Sequence, residues 1–233
     1  ISNTQSPAPL DVWTPSDQFL KPQILDQIAI GYFSELNDGK YTLEVESFYK
    51  KIKNRLDYID GADLIANNAI EQVVLNGNAR AYGLEVLFRK NEGRLNGWAS
   101  YTLSRSEQQT PGRNSIETGI NNGAWYKTGW DKLHNLSITG MYKLNEKWSF
   151  SSIFTLQSGQ PVTYPNGQYQ YQGISIPTYG LRNEDRLPTY HRLDISATLI
   201  PSKNKNRNWQ GEWVFGIYNL YSRKNTASIS FRQ

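Results

Sequence analysis

Apolar and polar residues alternate one by one through most of this chain. The clearest case spans residues 79–107. There Tyr82, Leu84, Val86 and Phe88 share one parity, while Gly83, Glu85 and Arg89 share the other. After the polar turn Asn91-Glu92-Gly93, Leu95, Gly97, Ala99, Tyr101 and Leu103 alternate with Asn96, Ser100, Thr102 and Ser104. A two-residue period places each set on its own side of a pleated strand. The stretch is therefore expected to be a hairpin with one apolar and one polar face. The same pattern predicts strands at 23–35, 41–58, 79–90, 94–106, 133–144, 147–158, 189–200 and 209–221. In the last of these both parities are apolar, Trp213, Phe215 and Ile217 against Val214, Gly216 and Tyr218, so alternation leaves its facing open.

The connections alternate in length. Residues 36–40, 91–93 and 145–147 are short turns and 201–208 is fairly short, whereas 59–78, 107–132 and 159–188 are long and polar. Residues 62–70 are the part of the first long connection that accommodates a helical turn. Compact domains rarely tolerate structureless loops above about 12–15 residues. In an up-and-down meander every second connection lies at the same end, so all three long loops share one end. The predicted strands, 12–18 residues in the longer cases, exceed the roughly 5–6 of ordinary globular strands. A tilted strand crosses a bilayer in roughly 9–11 residues. Long strands, one apolar face and loops at one end together describe an all-β, antiparallel, up-and-down transmembrane barrel. An open sheet cannot stay unpaired in lipid. An eight-stranded barrel would fill its own interior with side chains, so these strands are expected to be part of a larger barrel. The chain starts at Ile1 without an initiator Met or a signal-peptide pattern, which fits a piece of a longer protein.

Composition supports a sheet wetted on one side. Only 38% of residues are hydrophobic and the mean hydropathy is −0.63. Aromatics make up 13%, with 15 Tyr and 7 Trp against 8 Phe, a balance that suits apolar–polar boundaries. Tyr82, Tyr101, Tyr142 and Trp148 fall near strand ends on the apolar parity and are expected to form an interfacial girdle. Net charge is +4, but the densest basic run, residues 203–207, lies in a predicted turn and no basic stripe accompanies it, so nucleic acid is not an expected partner. With no cysteine and only His134 and His191, neither at ligand spacing, neither a metal site nor a cofactor is expected. No nucleophile elbow, phosphate loop or zinc-protease motif occurs, so the sequence offers no sign of an enzyme.

Several segments resemble TonB-dependent outer-membrane receptors of the Bacteroidota type. They are Asp11-Val12-Trp13-Thr14-Pro15-Ser16-Asp17 with Lys21-Pro22-Gln23, then Tyr82-Gly83-Leu84-Glu85-Val86, residues 95–105, Ser158-Gly159-Gln160-Pro161-Val162, Leu187-Pro188-Thr189-Tyr190-His191-Arg192-Leu193-Asp194, and residues 218–225. The resemblance implies a barrel of about 22 strands closed by a plug, in a Gram-negative outer membrane. This chain would then be the C-terminal segment, about strands 14 to 21, without the plug or the last strand. The resemblance further implies short turns in the periplasm, long loops outside, and uptake of a nutrient ligand driven by the TonB–ExbB–ExbD complex. Partners would be outer-membrane lipid, the plug, the remaining strands and a surface lipoprotein or other outer-membrane protein.

On the polar parity, Glu44, Glu46, Glu85, Arg89, Arg192 and Asp194 are expected to face the lumen, chiefly as salt bridges to the wall or the plug. Trp125, Tyr126, Trp130, Tyr164, Tyr169 and Tyr171 sit in the long loops among Gly, Asn and Gln and are candidate ligand contacts, or packing between loops. Two other functional classes fit the pattern less directly. One is a structural or adaptor barrel in an outer-membrane secretion or motility assembly. The other is a soluble β-sandwich enzyme or lectin.

Overall fold

A computed structural model describes residues 16–17, 19–62, 70–201 and 211–226. The long strands are β1 (Ile24–Leu36), β2 (Tyr41–Tyr58), β3 (Val74–Lys90) and β4 (Leu95–Gln109). After the three-residue β5 (Trp125–Lys127) come β6 (His134–Lys143) and β7 (Trp148–Gln157). The third long connection carries β8 (Pro161–Val162), β9 (Pro165–Tyr171), β10 (Ile174–Tyr179) and β11 (Asp185–Arg186), and is followed by β12 (Tyr190–Leu199) and β13 (Trp213–Ile217). The main sheet is an antiparallel meander in the order β1-β2-β3-β4-β6-β7-β12-β13, with β5 hydrogen-bonded onto the end of β4. All eight expected strands are present, and the expected all-β antiparallel class holds. Among the described residues β1 and β13 are the sheet's two edges, so it does not close on itself. The only helical turns among these residues are short 3-10 segments at Ile70–Gln72 and Ile120–Gly123. Most of the expected helical turn at 62–70 and the turn at 201–208 lie outside the described residues.

Register follows from the turns. Asn37, Asp38 and Gly39 take positive φ angles of 52°, 54° and 82°, which small polar residues and glycine tolerate. In the turn after β6, the Asn145 side chain accepts bonds from the backbone N–H of Lys147 and Trp148, both at 2.9 Å. Neighbouring turns are tied as well, since Asn91 Nδ2 donates to the Gly39 carbonyl at 2.8 Å.

Paired residues share a face, so the ladders sort every side chain. One face carries the row Tyr32–Val45–Val86–Tyr101–Leu136–Leu156 and, next to it, Leu43–Phe88–Ala99–Ile138–Phe154–Leu193. Trp213, Phe215 and Ile217 pair with Leu199, Ala197 and Ile195 and therefore join this apolar face, which settles the facing that alternation left open. The face is exposed, with Ile30 77% accessible. An apolar patch of this extent needs a lipid or protein cover. From the Tyr41 row to the Tyr49 row is eight residues, about 26 Å along a strand at ~3.3 Å per residue. With a tilt of roughly 40° that becomes about 20 Å, close to the ~25 Å apolar band of outer-membrane barrels. Tyr49 and Tyr82 stack at a 6.4 Å centroid distance where the band ends, and the next row on this face is Asp26–Lys51–Arg80–Glu107–Lys127.

Two strands run further than the alternation suggests. β3 begins at Val74 rather than 79, and β4 continues to Gln109. Both extensions lie beyond the apolar band, where the sheet packs against its own loops instead of lipid. The facing of Ile138 and Ser137 gives a direct check. Ile138→Arg, in the middle of the band, is expected to cost roughly 2–4 kcal/mol in guanidinium unfolding of the full-length barrel refolded in lipid vesicles, and Ser137→Arg on the opposite face less than about 1 kcal/mol.

Candidate functional site

The loop end of the sheet is built on a phase shift in β2. Asn54 bulges out of the ladder with φ 56°, and its side-chain amide donates to the Pro22 carbonyl at 2.9 Å. Lys53 pairs with Asn78 on the apolar-parity side, but Arg55 pairs with Gly77 and Asp57 with Leu75, both on the polar-parity side. One extra residue thus turns Arg55 and Asp57 onto the same face as Glu85. Leu56 and Val74 go to the opposite face, where Leu20 and Ile70 cover them.

Asp57 is almost fully buried there, at 2% exposure. Its carboxylate accepts hydrogen bonds from Tyr126 Oη at 2.6 Å and from Gln108 Nε2, and pairs with Arg182 Nη1 at 3.1 Å. Tyr126 comes from the second long connection and Arg182 from the third, so a single carboxylate ties two loops to the end of β2. The Tyr126 hydroxyl is saturated: it donates to Asp57, and Gln108 Nε2 and Thr110 Oγ1 bond it at 2.9 Å each. Burial, then the negative charge of Asp57, pushes the Tyr126 phenol well above its ordinary pKa. For Arg182, burial works against the charge, but Asp57 and Asp60 outweigh it and hold the guanidinium above its usual pKa. Leu75, Ile120 and Tyr126 form the apolar packing beneath this cluster.

The two loops also bond each other. Asn121, in the left-handed region at φ 51°, donates through Nδ2 to the Arg182 carbonyl at 3.0 Å and accepts from the Arg182 N–H at 2.7 Å. Asn183 Nδ2 donates to the Lys127 carbonyl at 2.8 Å. A second buried carboxylate, Asp131, accepts from the Ser106 N–H at 2.7 Å and pairs with Arg186, with Arg105 further off at 3.5 Å. The two long connections that looked structureless in sequence are one hydrogen-bonded crown.

The six loop aromatics are not gathered into one site. Tyr126 is buried in the crown at 5% exposure. Trp125, its neighbour on β5, faces the other way and stacks on Arg80, whose guanidinium lies 4.2 Å from the ring centroid. Trp130 is exposed on one side and lies against Arg55 on the other, at 5.0 Å. Tyr164 is half-buried, with its hydroxyl near the Arg186 carbonyl. Tyr169 and Tyr171 lie on one face of the β9–β10 hairpin, paired with Ile176 and Ile174, and both are exposed. Arg55 and Asp57, which bound the mouth of the polar face, were missed by the sequence reading. The signal was Asn54, a residue suited to positive φ inside a strand.

On the polar face, Glu46 pairs directly with Glu85, and Glu44 sits on the next row beside Leu87. Like charges opposite one another on a sheet repel, and none of the three carboxylates makes an ion pair among the described residues. Arg89 pairs with Thr42 and Trp98 near the turn end. Arg192 and Asp194 are a self-contained pair on β12, at 2.8 Å, with Arg192 also stacked on Tyr218 at 4.0 Å. No group of metal-ligating side chains occurs among the described residues.

Known proteins share this architecture. A family model described as "TonB dependent receptor-like, beta-barrel" matches residues 2–220. The crystal structure of the ferric-catecholate import receptor Fiu of Escherichia coli K12 superposes with a TM-score of 0.60 at 16% identity, over 91% of this chain and 25% of the receptor. The ferripyoverdine receptor of the Pseudomonas aeruginosa outer membrane, solved with ferripyoverdine, gives 0.59 at 14% identity, over 88% of this chain and 24% of the receptor. The chain thus spans about a quarter of the length of these receptors. No curated protein sequence matches it.

The crown has a testable hinge point. Arg182→Ala leaves the Asp57 carboxylate buried with neutral donors alone, a loss of about 3 kcal/mol for a broken buried pair. The expected result is faster protease cleavage within 107–132 and 159–188 on intact cells with the barrel still folded. Asp60→Ala, which removes the exposed partner of Arg182, is expected to change cleavage little.

Proposed function

The chain belongs to the TonB-dependent receptor-like β-barrel family, whose members lie in the Gram-negative outer membrane, and from that premise we propose that it is a wall segment of an active importer. The apolar face meets lipid, the polar face lines the lumen, the short turns are periplasmic and the crown is outside. The segment is C-terminal in the barrel, in a receptor of the Bacteroidota type. The rest of the receptor supplies the plug and the other strands, and the TonB–ExbB–ExbD complex supplies the work. A surface lipoprotein partner is compatible with the exposed β9–β10 hairpin.

The observation that carries this reading is the pairing of a two-faced wall with a crown of bonded loops at one end. Loops braced by two buried carboxylates, Asp57 and Asp131, form a fixed surface at the mouth of the wall, which suits capture of a ligand from outside. The unpaired Glu44, Glu46 and Glu85 also fit an importer, because a plug carrying cations would neutralise them and be held by them. In the crown, Trp130, Tyr169 and Tyr171 present rings to solvent and are the proposed ligand contacts, with Trp125 at the outer edge. Tyr126 and Tyr164 hold the crown together. Carrying a wall, a plug and loops, the protein works by binding and gating, without chemistry on the cargo.

The decisive experiment compares nutrient depletion by cells with and without the full-length gene. The reading expects at least one solute whose accumulation is lost on deletion and on treatment with a protonophore. Equal depletion by both strains across a defined medium would overturn it. Within the importer, Trp130→Ala or Tyr171→Ala is expected to weaken capture of that solute roughly tenfold, the effect of losing about 1.4 kcal/mol of ring contact. Tyr126→Phe is expected to leave capture intact and raise crown proteolysis instead.

A further inference from the structure

The apolar face changes character abruptly at its loop end. The row Ile28–Tyr49–Tyr82–Arg105 closes the band, and the two rows beyond it are Asp26–Lys51–Arg80–Glu107–Lys127 and Ile24–Lys53–Asn78–Gln109–Trp125. Cations outnumber carboxylates there, and both carboxylates are engaged. Glu107 binds Arg80 at 2.8 Å, and Asp26 lies 3.8 Å from Lys53. Arg105 is paired with Asp131 at 3.5 Å. Lys51 is exposed and Lys127 donates to the Glu184 carbonyl at 3.3 Å, but neither has an ion-pair partner among the described residues. Three strand spacings of ~4.8 Å put the two lysine backbones roughly 14 Å apart on one row. On β6, β7 and β12 the last strand residues of this face at the loop end are His134, Leu156 and His191, so the cations are confined to β2–β5.

Directly below these cations the band is hollowed. Ile28, Ile30, Tyr49, Tyr82, Leu84 and Leu103 line a groove of about 1020 Å³ that reaches Arg105. The groove exists because Ser47 is the small member of the row Ile30–Ser47–Leu84–Leu103. The Ser47 hydroxyl donates to the Gly83 carbonyl at 3.2 Å, so it is satisfied within the sheet. We infer that groove and cations form one site, for a lipid whose acyl chain lies in the groove and whose phosphate groups meet Lys51 and Lys127. The groove lies in the face that meets hydrocarbon, which selects an acyl chain. The surplus charge above it is positive, at the level where the band gives way to headgroups, and lysines at a membrane surface attract anionic lipid. The importer reading above supplies only the leaflet, the outer one.

The test uses the purified full-length barrel in nonionic detergent, with binding read by native mass spectrometry. The probes are bis-phosphorylated lipid A, the same lipid stripped of both phosphates, and inorganic phosphate alone. The expected result is binding roughly tenfold tighter with the phosphates than without, and no competition from inorganic phosphate. Lys51→Gln combined with Lys127→Gln is expected to erase that preference, and Lys143→Gln combined with Lys147→Gln, at the turn end, to keep it. Ser47→Leu, which fills the groove, is expected to weaken both lipid forms alike. Heat-modifiable electrophoretic mobility checks that each variant is a folded barrel. Equal binding of the two lipid forms, a preference that survives the Lys51 and Lys127 changes, or binding that Ser47→Leu leaves unchanged overturns the inference. So does competition by inorganic phosphate, which would make this a free-anion site, and so does retention of an acidic protein through the same lysines with no lipid bound. Binding is measured without transport, so failure here leaves the importer reading standing, and failure of the solute-depletion experiment leaves the lipid result standing.

Discussion

Every part of this fold depends on pairing backbone N–H and C=O groups across strands where no water can reach them. In hydrocarbon an unpaired amide costs several kcal/mol, so the band from the Tyr41 row to the Tyr49 row admits unbroken ladders. β2 and β3 pair without interruption from Tyr41↔Lys90 to Lys53↔Asn78. The first irregularity, Asn54, lies past the stacked Tyr49 and Tyr82 that close the band. Regular ladders also fix the side chains. With a strict period of two, lipid and lumen each impose one parity, and a slip of one residue would invert both.

Beyond the band that constraint lapses, and the chain uses the freedom at once. Asn54 inserts one residue and places Asp57 under the loops. A buried carboxylate is costly alone, so it must collect donors, and it collects them from Gln108, Tyr126 and Arg182. The donors come from distant parts of the chain. The burial of a single charge is thereby converted into an ordered assembly of two long connections. Asp131 does the same on a smaller scale with Ser106, Arg186 and Arg105.

The same contrast explains what was legible in the sequence. All eight strands could be read, because lipid on one side and water on the other write an alternating pattern directly into the residues. The Trp213–Ile217 strand defeated the reading because Val214 and Gly216, on the lumen side, are small and apolar too, and pairing partners settle what composition cannot. The crown was illegible for the opposite reason. Its residues are polar and turn-forming, as in any solvated loop, and their order comes from contacts more than fifty residues apart, such as Asn121 with Arg182 and Asp57 with Tyr126. Of the loop aromatics, sequence could name the rings but not separate Tyr126, consumed by the crown, from Trp130, Tyr169 and Tyr171, which remain available.

The likeness to receptors at 14–16% identity follows the same logic. Lipid asks only that outward residues be apolar, and many side chains satisfy it, so strand sequences drift while the ladder stays. What cannot drift freely is the set of residues with a fixed partner or a fixed backbone angle. In this chain that set includes Asn37, Asp38 and Gly39 in a turn, Asn54 at the bulge, and Asp57 with its donors. The ladder can therefore persist at low identity, while the loop end of this chain is specified by a small number of buried contacts, chiefly those of Asp57 and Asp131.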